Sequence, residues 1–118
     1  MNTEIRIVGE FTIAEGKTDA FKELIGTAIE RVRSNEPDTL TYEFYFSDDE
    51  TKCYALELYR DSQALLTHVE DVGEILPKIL AVAQITSLEI FGNATKELKE
   101  GLASFGAKFF THWSGFKR

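Results

Sequence analysis

The sequence predicts an α+β domain in which one antiparallel sheet is backed by helices. Three observations carry that prediction. Apolar residues recur at a spacing of two in four separate segments, the signature of half-buried strands. Between the first and second of these, they recur at i, i+3 and i+4, the signature of an amphipathic helix. The second and third segments are separated only by a short polar turn, which makes them an antiparallel hairpin.

The first segment is 4–14, where Ile5, Ile7, Phe11 and Ile13 share one face and Gly9 falls in the same row. A glycine inside a strand marks either a bulge or space for a ligand or a neighbouring backbone, and both readings stand. Glu15-Gly16-Lys17-Thr18 breaks the strand. A helix is expected over 17–34, with Phe21, Leu24, Ile25, Ala28, Ile29 and Val32 forming its apolar stripe. Pro37 stops it, since proline cannot continue a helix.

Residues 39–47 and 52–60 form the hairpin around the turn Asp48-Asp49-Glu50-Thr51. If those four residues are the loop, Tyr45 faces Tyr54. Leu40, Tyr42, Phe44 and Phe46 then share a side with Cys53, Ala55, Glu57 and Tyr59, a grouping that a one-residue slip would reverse. Both faces of the hairpin carry bulky apolar or aromatic residues. One face is expected under the chain's own helices and the other under a partner sheet.

Asp61 or Ser62 can cap a helix carrying Ala64, Leu65, His68 and Val69. Gly73 breaks it. A second apolar helix is expected from Glu74 to Ala83, with Pro77 tolerated only near its first turn. A last strand follows over 84–92. The order is βαββαβ, a ferredoxin-like unit. The division expected is a domain over 1–92 and an aromatic-rich helical extension over 93–118. Thr95 to Leu102 is helical and polar; Phe105, Phe109, Phe110, Trp113 and Phe116 crowd the end. Rings so dense at a chain end should pack on something, either a second subunit or the mouth of a pocket.

Composition narrows the function classes. The chain has 118 residues, 43% hydrophobic and 28% charged, which suits one globular domain. A net charge of -7 disfavours nucleic acid and anionic membranes as partners. The single cysteine, Cys53, allows no internal disulfide and reads as a small core residue. The start, Met1 to Arg6, lacks a leader pattern, and no apolar run is long enough to span a bilayer, so a cytoplasmic protein is expected. No metal-ligand spacing and no glycine-rich phosphate loop is present, so neither metal nor cofactor is expected.

Three stretches together resemble a known family. They are Glu36-Pro37-Asp38-Thr39-Leu40-Thr41-Tyr42-Glu43-Phe44, Ala55-Leu56-Glu57-Leu58-Tyr59-Arg60-Asp61 and Ala64-Leu65-Leu66-Thr67-His68. This order, a proline turn opening an aromatic strand, a Glu-x-Tyr-x-Asp strand end and a helix with a histidine, resembles the antibiotic biosynthesis monooxygenases over about residues 4–92. The resemblance implies a homodimeric α/β barrel with a pocket between sheet and helices in each subunit. It implies chemistry of the kind found in cofactor-independent oxygenases of aromatic polyketides and quinols. The haem-degrading relatives fit less well: the first strand has no asparagine, and the only tryptophan is Trp113 in the tail.

Within that frame Glu57 and His68 are the candidate proton-handling residues, and Tyr42, Phe44 and Tyr59 the candidate lining of a site for a small aromatic or hydrophobic molecule. A carboxylate facing an apolar layer is a base or hydrogen-bond anchor, or else a structural group tied to a tyrosine or backbone. His68 can shuttle a proton or can tie its helix to the sheet. The aromatic wall of Tyr42, Phe44, Tyr45, Tyr54 and Tyr59 lines a pocket or fills a barrel core. The expected function is a monooxygenase acting without a cofactor on a small aromatic or quinol compound. The alternative is a non-catalytic dimeric barrel that binds a small hydrophobic ligand.

Overall fold

A computed structural model describes residues 2–118; Met1, where the leader reading begins, lies outside them. Strand β1 (Ile5–Ile13) leads to helix α1 (Thr18–Asn35). The hairpin β2 (Thr39–Phe46) and β3 (Lys52–Tyr59) follows, then α2 (Ser62–Asp71), α3 (Leu76–Leu80) and β4 (Ala83–Phe91). The extension adds α4 (Lys96–Gly101), a 3-10 turn at Ala103–Phe105 and a short strand β5 (Lys108–Phe110). The strands lie in the order β2-β3-β1-β4-β5, with the helices packed on one face.

The α+β, ferredoxin-like prediction therefore holds. So does the hairpin register: Tyr45 pairs with Tyr54, Phe44 with Ala55 and Tyr42 with Glu57. Leu40 departs from the expected face. Thr39 pairs with Tyr59 and Thr41 with Leu58, so Leu40 is the extra residue of a bulge and turns outward. The second helix of the pair is shorter than expected. Ala83 already pairs with Ile13 in the sheet, which leaves only Leu76–Leu80 free to coil.

The extension was expected to be helical, and α4 is. Its N-cap Thr95 accepts a hydrogen bond from the Leu98 amide at 3.2 Å. Lys108–Phe110, however, joins β4 as a parallel strand, so the sheet is not wholly antiparallel. Phe109 turns towards the core, while Phe110 stacks on Phe91 with ring centroids 5.1 Å apart.

The core divides into two clusters. Ile5, Ile7, Tyr59, Leu65, Ile90 and Leu98 fill one end of the sheet. Ile13, Phe21, Ile25, Cys53 and Ile79 fill the other. Phe21 meets Phe11 and Phe46 edge to face, with centroids 5.4 and 6.0 Å away, an arrangement ring quadrupoles favour. Cys53 is fully buried here, and that burial pushes its thiol up to about 11, so it is unreactive packing. The outer face of the sheet is bare at its hairpin end, where Tyr45, Tyr54 and Leu56 are exposed. No helix among the described residues is long and apolar enough to cross a membrane.

Gly92 ends β4 at φ 132°, a conformation that side chains resist, and a Cβ there would sit 2.5 Å from the Glu4 carbonyl oxygen. Gly92→Ala should therefore lower stability by about 1–3 kcal/mol, read as a fall in the urea midpoint with unchanged slope. An unchanged midpoint would show that the chain can leave β4 another way.

Candidate functional site

The cavity lies between the two core clusters, under the helices. Its volume is about 110 Å³, and it is open on one side. The sheet contributes Ile7, Phe11, Tyr42, Phe44, Glu57 and Leu88 to its wall, and α1 and α2 contribute Ile25, Leu65, His68 and Val69. Small residues make the space: Gly9, Ala28 and Ala55 all face it. A Cβ on Gly9 would meet Leu88 Cδ1 at 3.6 Å and Ala55 Cβ at 4.0 Å, which is ordinary contact. The bulge on this side of the sheet falls one step on, between Glu10 and Phe11 in their pairing with β4. Gly9 itself opens space.

Glu57 and His68 are the polar groups of this otherwise apolar wall, together with the Tyr42 hydroxyl. Glu57 is placed by the β2–β3 register opposite Tyr42. His68 is placed by the start of α2, where Asp61 accepts a hydrogen bond from the Ala64 amide at 2.8 Å. This cap sets the helix phase that turns His68 inward. His68 Nε2 lies 3.8 Å from Glu57 Oε1, and its Nδ1 lies 2.9 Å from Glu36 Oε1. Its ring also packs against those of Tyr42 and Tyr59, with centroids 5.2 and 5.3 Å away. The imidazole thus stands between two carboxylates.

Glu36 is the member that sequence reasoning missed. It sits just past α1, where Pro37 ends the helix, and it is 6% exposed. Thr39 donates its hydroxyl to Glu36 Oε1 at 2.8 Å, which satisfies part of the buried carboxylate. An acid read as a helix stop is instead the orienting partner of the histidine. The available signal was its place in the Glu-Pro-Asp-Thr stretch, three residues before a threonine. Asp71, at the end of α2, is anchored by Arg31 at 3.4 Å and Asn35 at 3.2 Å, which fastens α2 to α1 beside this group.

The other expected residues divide. Tyr42 and Phe44 line the cavity, meeting edge to face at 5.0 Å. Tyr59 does not line it; it is fully buried behind Glu57 and donates its hydroxyl to Glu57 Oε1. Tyr45 and Tyr54 belong to the opposite face of the sheet, exposed on the surface. The extension supplies two lining residues that the sequence did not assign, Leu102 and Phe105. His112 is exposed in the tail, far from this cluster in the chain. Among the described residues no group of three or more His, Cys, Asp or Glu side chains is placed to hold a metal ion.

Burial sets the electrostatics. It raises the Glu57 carboxyl above the usual range, against the opposing pull of His68 and the Tyr59 hydrogen bond. For His68, burial acts downward, but the Glu36 hydrogen bond and the charges of Glu57, Glu36 and Asp71 outweigh it and hold the imidazolium above its ordinary value. Burial, with Glu57 nearby, raises the Tyr42 phenol so far that it stays neutral. Burial thus raises the proton affinity of Glu57, and the neighbouring carboxylates raise that of His68, at an otherwise apolar wall.

This fold and site define a small α+β protein with an acid–base pair buried at an apolar cavity. The chain belongs to the antibiotic biosynthesis monooxygenase family, whose model matches residues 4–71. Among solved structures it is similar to MupZ from Pseudomonas fluorescens, at 30% identity over 99% of this chain and 96% of that one, with a TM-score of 0.87. It shares its fold with a conserved protein from Methanosarcina mazei, at 21% identity over 80% and 95% of the two chains, TM-score 0.67. A Caulobacter crescentus protein named for the same family matches at 21% identity over 75% and 88%, TM-score 0.67. No curated protein matches the chain by sequence. The extension is thus shared with MupZ, whereas the more distant structures cover only part of this chain.

A raised histidine pKa means that the folded state binds the proton more tightly than the unfolded chain. Its stabilising effect is complete below about pH 6.5 and is lost as pH climbs through the higher folded value. Urea midpoints measured from pH 6 upward should fall, and His68→Gln should flatten that part of the profile. An equally steep decline in the variant would assign it to other groups.

Proposed function

We propose that the chain is a homodimeric monooxygenase that acts, without a cofactor, on a small aromatic or quinol compound held in the cavity. The observation that carries this reading is the Glu57 carboxyl set in an apolar wall, with its proton affinity raised by burial and His68 beside it. An apolar cavity of about 150 Å³ accepts a benzene ring, so a space of about 110 Å³ that is open on one side suits a single ring.

In this scheme the substrate is its own reductant. Glu57 removes the proton of a phenolic hydroxyl, leaving an anion delocalised onto a ring carbon that bears one hydrogen. That anion passes electrons to oxygen, and carbon–oxygen bond formation gives a hydroperoxide. Loss of that carbon's hydrogen with the outer oxygen, as water, then leaves a carbonyl in its place and a quinone as product. One oxygen atom enters the product, the other leaves as water, and all four electrons come from the substrate. His68 supplies the proton that the departing oxygen needs and is recharged by the proton that Glu57 took, while Glu36 holds the ring in place. Tyr42 and Phe44 bound the ring, and the apolar wall excludes water from the anion. Family membership supports oxygenase chemistry without fixing the substrate.

Oxygen uptake with a panel of single-ring quinols and activated phenols tests the proposal. The native protein should consume oxygen. Glu57→Gln and His68→Ala should each slow it by about 10²–10⁴-fold, the usual span for a lost proton-transfer group. Turnover untouched by both changes would remove this site assignment. Binding of the same compounds without any oxygen uptake would favour a ligand-binding barrel instead.

A further inference from the structure

The tail carries the most exposed rings of the chain on its most cationic segment. Trp113 is 94% exposed and Phe116 81%. Residues 104–118 contain Lys108, Lys117 and Arg118 and no acidic residue, in a chain of net charge -7. Yet the tail is anchored. The Phe110 carbonyl accepts the Gly92 amide at 2.9 Å, and Lys117 Nζ reaches Glu4 Oε1 at 2.7 Å. Between those anchors the tail arches over its own sheet and leaves an open groove of about 560 Å³, bounded by Arg6, Leu58 and Phe91. Large rings held out to water on an anchored arch need a partner.

The complementary surface lies on the same sheet face, at the other end of the strands. Tyr45, Tyr54 and Leu56 are exposed there, beside the carboxylates of Glu43 and Glu10, with Lys52 paired to Glu10. The tail lies beside Leu58, next to the last residue of β3; the patch runs from Tyr54 to Leu56, about 13 to 7 Å away along the strand. We propose that Trp113 and Phe116 of one chain seat on the Tyr45–Tyr54–Leu56 patch of a second copy, and reciprocally. Two sheets stacked face to face with opposed strand directions bring each tail over the other's hairpin end, which is a closed twofold contact. Charge selects this arrangement. Stacking the same ends together would set Lys117 and Arg118 against their own copies, whereas the opposed stack sets them towards Glu43 and Glu10. The inference rests on the self-association proposed above.

Trp113 is the only tryptophan, so its fluorescence reports the tail alone. Emission and acrylamide quenching are measured on the full chain from nanomolar to high micromolar concentration, alongside sedimentation velocity. As dimers form, emission should move to the blue and quenching should drop several-fold. Leu56→Lys, which puts a cation on the exposed receiving patch, should restore red, readily quenched emission, and Phe116→Ser should weaken association. Dimers whose tryptophan stays fully quenchable would overturn the tail contact while leaving the dimer intact. A blue shift that Leu56→Lys leaves in place would do the same. Lone subunits at every concentration would remove both the contact and the dimer. A shift seen only with vesicles containing anionic lipid would assign the tail to a membrane surface and overturn the proposal.

Discussion

The contact between His68 and Glu36 is the constraint on which the rest of the site depends. It ties the end of α1 to the inner face of α2, and it fixes which way the imidazole points. Taking a carboxylate out of water costs several kcal/mol unless its lone pairs are met. Glu36 meets this cost with the Thr39 hydroxyl and the histidine; Glu57 meets it with the Tyr59 hydroxyl and has the same ring's charge 3.8 Å away. Each local feature is therefore conditional on another. Pro37 stops α1 so that Glu36 can turn inward, and the Asp61 cap starts α2 at the phase that brings His68 to meet it.

The cavity follows from the same arrangement. Two core clusters pack tightly at the ends of the sheet, and the small residues Gly9, Ala28 and Ala55 keep the middle open. Filling that space with larger side chains would be the ordinary way to stabilise a domain of this size. The chain instead keeps an open, apolar space faced by ionisable groups, which is the usual character of a small-molecule site. The extension is part of this construction, because Leu102 and Phe105 close one side of the cavity before the chain continues into β5. The same segment thus completes the wall of the site and presents the exposed rings of the tail.

Much of this was legible in the amino-acid order. Alternation in 39–47 and 52–60, with a four-residue turn between them, was enough to pair Tyr42 with Glu57 and to put both on the covered face. The histidine was legible as an inward residue of a capped helix. Leu40 was not legible as an outward residue, because a bulge changes the phase of a strand without any change in its composition. Tyr59 has the same parity as Glu57 and so read as pocket lining. It is instead taken up in the core cluster with Ile5, Ala64, Leu65 and Leu98, where only its hydroxyl reaches the carboxylate.

By itself, then, the sequence determined the element order as far as β4 and the faces of the strands except at Leu40, because these follow from local periodicity and turn chemistry. Only the tertiary structure decided that Glu36 completes the group around His68, since those residues are 32 positions apart and meet only when α1 and α2 lie side by side. It alone decided that Lys108–Phe110 adds to β4 as a parallel strand, because a three-residue strand has too little period of its own and takes its conformation from the edge that it joins.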